Sequence, residues 1–271
     1  MVSDDQLDWV PSDIDLTRPN AARIYDYVLG GANNFAVDRD FAKRLLVTMP
    51  DAQVQAQQNR NFLRRAVSFL VGRGVRQFLD LGSGIPTVGN THEVAQRLDP
   101  EVRVLYVDNE PVAVAHSELI LADNPRADVL RADVADPAGV VGHPRATALL
   151  DFSRPIGVLM FAIVHFMPDE ADPAGLVAGY RDATVPGSYL AMTHGTADHR
   201  PELRPVAEAY QQTANPVTLR SRAAVLALFD GYELVPPGLV FGPAWRPEVP
   251  AGDVPGEERD STIYGAVGRK A

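Results

Sequence analysis

The sequence predicts an α/β fold: a mostly parallel sheet covered by helices, closed by a C-terminal antiparallel hairpin and preceded by a helical N-terminal cap. Three observations carry that expectation. From residue 75 onward, short apolar runs alternate with helix-like stretches, the pattern of parallel strands joined by crossover helices. The first run, Phe78-Leu79-Asp80-Leu81, breaks on Gly82-Ser83-Gly84, where glycine permits turns and close ligand approach that a β-carbon obstructs. The second and third runs also lead into acids, Asp108 and Asp133.

Residues 1–74 read as helical, with candidates over 21–29, 39–47 and 53–71. In the last of these, Leu63, Ala66, Val67 and Leu70 recur at helical spacing and predict one face packed on the sheet. Nothing linker-like precedes residue 75, so 1–74 is expected to cap the ligand edge of a core at 75–271. Strands are expected over 76–81, 102–107, 128–131, 156–163 and 188–193, with crossover helices over 93–98, 111–122 and 173–184. Asn90, with Glu93 three residues on, resembles a capping pair that starts the first crossover helix. Ligand sites of such sheets lie where the strand order reverses, at the carboxyl ends of the strands.

After a helix-like stretch at 221–229 the alternation stops. Apolar runs at 232–235, 239–241 and 261–267 follow, with a Pro-Pro-Gly turn between the first two. Pro243, Pro247, Pro250 and Pro255 exclude a helix over 243–257. The last two strands are therefore expected to pair antiparallel across a long loop.

The formal charge of −10, from 35 acids against 25 bases, opposes attraction to nucleic-acid backbones or anionic membranes. There are no cysteines, which excludes disulfides and thiolate chemistry. The first residues are acidic where a secretion signal is basic, and no apolar run reaches the roughly 18 residues of a membrane span. A soluble cytoplasmic protein is expected. The histidines show no metal-ligand spacing, so no metal is expected.

Asp108, at the end of Val-Leu-Tyr-Val, can accept hydrogen bonds from both hydroxyls of a ribose, although an acid there also serves as a helix cap. Asp133, beside the backbone amide of Val134, could hold the exocyclic amine and a ring nitrogen of adenine. Asp136 precedes Pro137 and reads as a cap or turn residue.

Together, Asp80-Leu-Gly-Ser-Gly84, Tyr106-Val-Asp-Asn109, Ala132-Asp-Val134 and Leu159-Met-Phe-Ala-Ile-Val-His165 resemble the ordered motifs of class I S-adenosylmethionine-dependent methyltransferases. The run Arg18-Pro-Asn-Ala-Ala-Arg-Ile-Tyr-Asp-Tyr-Val-Leu-Gly-Gly-Ala-Asn-Asn34 is more specific, and resembles the actinobacterial methyltransferase family catalogued as DUF574. That likeness covers essentially the whole chain. It implies a Rossmann-like sheet and S-adenosyl-L-methionine as cofactor. Carried over, Asp80, Gly82, Ser83 and Gly84 face its methionine part, Asp108 and Asn109 its ribose, and Asp133 with Val134 its adenine, while Phe161 and Ala162 close the site. The third glycine of the first motif is replaced near Pro86, so the exit of the turn through Ile85 and Thr87 is expected to depart from the family pattern.

Arg23, Tyr25 and Gly31 admit two readings. One is a lid, with Arg23 or Tyr25 against the ligand's carboxylate and Gly31 letting the chain pass close. The other is an Arg23–Asp26 pair within a helix that Gly30-Gly31 ends. Methyl transfer asks mainly for positioning, and needs a base only for an acceptor that arrives protonated. His165 is the best-placed candidate base and His194 the second. The expected function is methylation of a small molecule, at oxygen before nitrogen. The alternative is a regulatory protein that binds the cofactor without reaction.

Overall fold

The computed structural model describes residues 14–86, 89–248 and 261–271. Thr87, Pro250, Pro255 and the first 13 residues of the expected cap lie outside the described residues. The sheet is built from β1 (Gln77–Leu81), β2 (Arg103–Asp108), β3 (Ala127–Arg131), β4 (Gly157–Phe161), β5 (Tyr189–Gly195), β6 (Tyr232–Leu234), β7 (Val240–Phe241) and β8 (Ile263–Lys270). Its order is β3-β2-β1-β4-β5-β8-β6, with β7 also paired to β8. Strands β1 to β5 are parallel, and β8 runs antiparallel to β5, β6 and β7. The expected final pair is present, with Val240 opposite Gly265. Every residue of β1, β4 and β5 is buried, as continuous apolar runs in a sheet covered on both faces require.

The helices are α1 (Ala21–Val28), α2 (Ala36–Thr48), α3 (Ala52–Gly72), α4 (Thr91–Leu98), α5 (Pro111–Leu121), α6 (Pro137–Val141), α7 (Pro144–Leu149), α8 (Pro173–Asp182), α9 (Arg204–Tyr210) and α10 (Arg222–Ala227). Asn90 is the N-cap of α4, and Glu93 reaches back to the Gly89 N–H and the Asn90 side chain. Asp136 caps α6 by accepting from the Gly139 N–H. Helices α6, α7 and α9 were not anticipated, because a helix of under two turns shows no apolar period for a pattern to reveal.

The two faces of the sheet carry separate apolar clusters. Leu63, Ala66, Val67 and Leu70 of α3 pack with Phe78 and Val104 on one face, as their spacing predicts. A third cluster joins Ile24, Val28, Leu45, Ala56 and Leu203, and so ties α1, α2 and the start of α3 to the turn before α9. Helix α3 thus belongs to the cap at its start and to the sheet at its end. The order reverses between β1 and β4, and the cap covers that edge.

Candidate functional site

Where the cap meets the sheet edge lies a cavity of about 270 Å³, lined by the loops after β1, β2 and β4 and by the cap. The glycine turn is its first wall. Gly82 and Gly84 take φ of +67° and +65°, values that an L-residue adopts only with strain. The Gly82 and Ser83 N–H groups both donate to the Val107 carbonyl, at 2.8 and 3.2 Å, which draws the turn over β2. A β-carbon on Gly82 would lie 2.4 Å from Ile163 Cδ1, whereas one on Gly84 would meet nothing within 4 Å. Ser83 Oγ is buried without a partner. Ile85 leaves the turn by packing on Val112 and Ala113 of α5, so the chain is held there without a third glycine.

Asp108 joins the two loops. Its Oδ2 accepts from the Gly84 N–H at 2.7 Å and its Oδ1 from the Glu110 N–H at 2.9 Å. Burial raises its carboxyl above the usual range, against the pull of those amides. Asn109 beside it is exposed and lines the cavity. Asp80 Oδ2 accepts from Thr91 Oγ1 at 2.7 Å, and burial pushes its carboxyl up to about 6.

On the β4 side, Phe161 and Ala162 line the cavity. Ala162 has φ of +54°, a strained value for a non-glycine residue. A chain of hydrogen bonds holds it. The Ala162 N–H donates to Thr193 Oγ1 at 2.8 Å, Thr193 donates to Asn59 Oδ1 at 2.7 Å, and Asn59 Nδ2 donates to the Tyr25 hydroxyl at 3.2 Å. Tyr25 itself donates to the Ala56 carbonyl at 3.0 Å. One polar thread thus runs from the cap to the loop after β4.

His165 lies on the cavity wall beyond β4. Its Nδ1 accepts from the Gly195 N–H at 3.2 Å. Burial, with His194 and Arg220 nearby, drops its pKa to about 3, so the ring is neutral. A backbone N–H can only donate, which places the single ring proton on Nε2. A base at His165 would need a lone pair that this arrangement has already used. His194 is fully buried and does not line the cavity. Its Nδ1 donates to the Gly195 carbonyl at 2.8 Å and its Nε2 accepts from Arg220 at 3.0 Å, which marks it as structural.

The model of the S-adenosyl methyltransferase family matches residues 7–271. The chain belongs to that family.

This methyltransferase is 37% identical to a protein from Thermobifida fusca YX assigned provisionally as a methyltransferase, with a TM-score of 0.91 over 97% of this chain and 98% of that one. It is 40% identical to a DUF574 family protein from Streptomyces avermitilis MA-4680, with a TM-score of 0.89 over 94% and 98% of the two chains. An O-methyltransferase family protein from Burkholderia thailandensis shares the fold at 12% identity, with a TM-score of 0.52 over 83% of this chain and 61% of that one. No curated protein matches the sequence. The cofactor of the methyltransferase is S-adenosylmethionine. The residues present suit it: an unpartnered serine hydroxyl, an open cradle at Gly84 and two buried carboxylates face one cavity.

Two expectations about the methyltransferase's cap are corrected. Arg23 is buried, and its guanidinium is spent on Asp38 at 2.8 Å, Glu110 at 3.1 Å and the carbonyls of Asp15 and Arg18. It does not line the cavity, nor does it pair with Asp26, whose carboxylate accepts from Asn33 and Asn34 instead. Gly31 makes room for Asp26, since a β-carbon there would lie 2.0 Å from Asp26 Oδ1. Tyr25 does line the cavity. Asp133 and Val134 lie outside its lining: Asp133 is exposed and accepts from the Ala135 N–H, and the Val134 carbonyl accepts from Tyr180.

Arg60 was missed. It lines the cavity, donates to the Gly89 carbonyl at 2.8 Å and lowers the Asp80 carboxyl electrostatically. Asn59 and Gln55 were missed with it, yet a signal existed. They continue the apolar stripe of α3 backward from Leu63 in steps of four, and a polar side chain on a buried face needs a partner.

Proposed function

We propose that the protein methylates a small molecule, at oxygen in preference to nitrogen. The observation that supports this is the form of the cavity. Beyond the glycine turn it continues under the cap between Val28, Leu45, Met49, Leu203, Val206 and Val217, with His165 on its wall. A compartment of that kind suits an organic molecule held against the turn. The division into a cap at 1–74 and a core at 75–271 fits this reading, with α3 shared between them.

In our assignment Asp80, Gly82, Ser83 and Gly84 hold the amino-acid end of S-adenosylmethionine, and Arg60 meets its carboxylate in the place once expected of Arg23. Asp108 and Asn109 take the ribose. Asp133 and Val134 take the adenine, from the loop that the Ala132 N–H ties to the Asp108 carbonyl at 3.1 Å. Phe161 and Ala162 form the floor, and Tyr25 holds the cap against it. When bound, the cofactor supplies an activated methyl group on a positive sulfonium. The chain's own work is to orient the acceptor and exclude water, which the cap does by covering the sheet edge.

The test is formation of S-adenosylhomocysteine from S-adenosylmethionine over a panel of phenols, enols and amines, with Gly82→Val as control. Turnover with hydroxyl acceptors that the variant lacks is expected. Turnover with amines alone would overturn the oxygen preference. Cofactor binding without any turnover would favour a regulatory role.

A further inference from the structure

Among the described residues, the acceptor end of the cavity holds no group that can take a proton near neutral pH. The carboxylates of the lining, Asp80, Asp108 and Glu110, stand at the glycine-turn end, where they are bonded to Thr91, to backbone amides and to Arg23. At the apolar end, Gln55 accepts from the Thr262 N–H and hydroxyl, and Asn59 is held by Thr193 and Tyr25. Tyr210 lines this end, and burial raises its hydroxyl far above neutrality, so it stays protonated. His165 has its Nδ1 lone pair filled by the Gly195 N–H, which leaves Nε2–H as a donor.

The surroundings keep that tautomer. His194 stands edge-on with ring centres 5.7 Å apart, and its own Nε2 accepts from Arg220. Arg220 in turn is held by Asp169 at 2.6 Å and by the Val164 and Met167 carbonyls. A fixed guanidinium therefore lies behind the two imidazoles and opposes a second proton on either ring. The Thr218 N–H bonds to the His165 carbonyl at 2.7 Å, which fixes the backbone that carries the ring.

An aliphatic alcohol bound here would keep its proton and stay a poor nucleophile. A protonated amine would find neither a base nor an anion among the described residues at this end. The match that this end favours, with a hydrogen-bond donor at His165 and no base, is an oxygen that arrives already ionised. We infer that the acceptor is an apolar, conjugated molecule with an acidic hydroxyl, a phenol or an enol, which binds as its oxyanion, and that His165 holds this oxygen as a hydrogen-bond donor from Nε2 and not as a base. The acceptor's proton goes to solvent before binding, so nothing on the protein has to receive it. This inference rests on the methyltransferase reading above and sharpens it to one substrate class.

The probe is 4-nitrophenol, whose anion absorbs in the visible, titrated against excess protein holding sinefungin, a cofactor analogue with an amine in place of the reactive methyl. Wild type is expected to favour the anion about tenfold, seen as a fall of about one unit in the probe's apparent pKa. His165→Phe should abolish that preference, and His165→Gln, which keeps an N–H donor, should restore part of it. Sinefungin affinity of each variant, measured by calorimetry, checks that the site is intact. The inference is overturned if the bound probe ionises at the same or a higher pH than in solution. It is also overturned if His165→Phe keeps the preference, or if the probe fails to bind a protein that holds sinefungin. Failure of wild type to bind sinefungin would instead sink the assignment of the cofactor-binding residues.

Discussion

Glu110 Oε1 accepts a hydrogen bond from Arg23 Nη1 at 3.1 Å, across 87 positions of sequence. Arg23 also binds Asp38 Oδ2 at 2.8 Å, and the Glu110 N–H holds Asp108. The cap is thereby fastened to the loop that ends β2. Arg23→Met leaves two buried carboxylates without their cation, which costs about 3–5 kcal/mol. Urea denaturation should show that loss, and Arg23→Met with Asp38→Asn and Glu110→Gln should recover part of it. A loss under about 1 kcal/mol would mean that the pair does not fasten the cap.

Gly82 and Gly84 should separate damage to the fold from damage to the site. Gly84→Ala meets open space, so its cost is the left-handed backbone alone, about 1–2 kcal/mol. The added methyl stands in the cradle, and affinity for S-adenosylhomocysteine should fall at least tenfold by calorimetry. Gly82→Val also collides with Ile163 and should lose both stability and binding. Unchanged affinity in both variants would remove the glycine turn from the site.

If Arg60 meets the cofactor's carboxylate, its removal should matter only for ligands that carry one. Arg60→Met should weaken S-adenosylhomocysteine binding by about 10- to 100-fold, the range of a charged hydrogen bond. It should leave 5′-methylthioadenosine, which lacks the amino-acid chain, nearly unaffected. Equal weakening of both ligands would show that Arg60 supports the fold instead.

The Asp80 carboxyl, pushed up to about 6 by burial, makes stability depend on pH in an unusual direction. Below about pH 4 it is protonated in both folded and unfolded chains and adds no penalty. Between about pH 4 and 6 the folded chain keeps the proton that the unfolded chain has lost, so stability falls as pH rises through this window. The penalty is complete above pH 6 and amounts to about 3 kcal/mol at about 1.4 kcal/mol per unit. Denaturation at pH 4 and 7 should show wild type losing stability relative to Asp80→Asn. Parallel behaviour of the two proteins would refute the assignment.

Asn59 holds Thr193 and Tyr25 at once. Asn59→Leu leaves buried polar groups unpaired and should cost about 2–4 kcal/mol, whereas Tyr25→Phe removes one hydroxyl and should cost about 1 kcal/mol. Chemical denaturation measures both. The reverse ranking would show that the thread from the cap to Ala162 is not continuous in solution.

Strand runs, the glycine turn and the acids at the strand ends were legible because they are local. Five parallel strands and the final antiparallel pair follow from alternation, from proline placement and from runs apolar enough to be buried on both faces. The buried stripe of α3 followed from a period of 3.6. Short α6, α7 and α9 were not legible, since one or two turns hold too few residues for a period. The role of Arg23 was illegible for another reason. Asp38 and Glu110 come to it from α2 and from the end of β2, and whether a guanidinium faces a ligand or two carboxylates depends on what folding brings beside it. The same holds for His165: the sequence by itself determined that an imidazole follows β4. Only the tertiary structure, by setting the Gly195 N–H against Nδ1, decided which nitrogen carries the proton, because that contact joins β5 to the loop after β4 through the sheet.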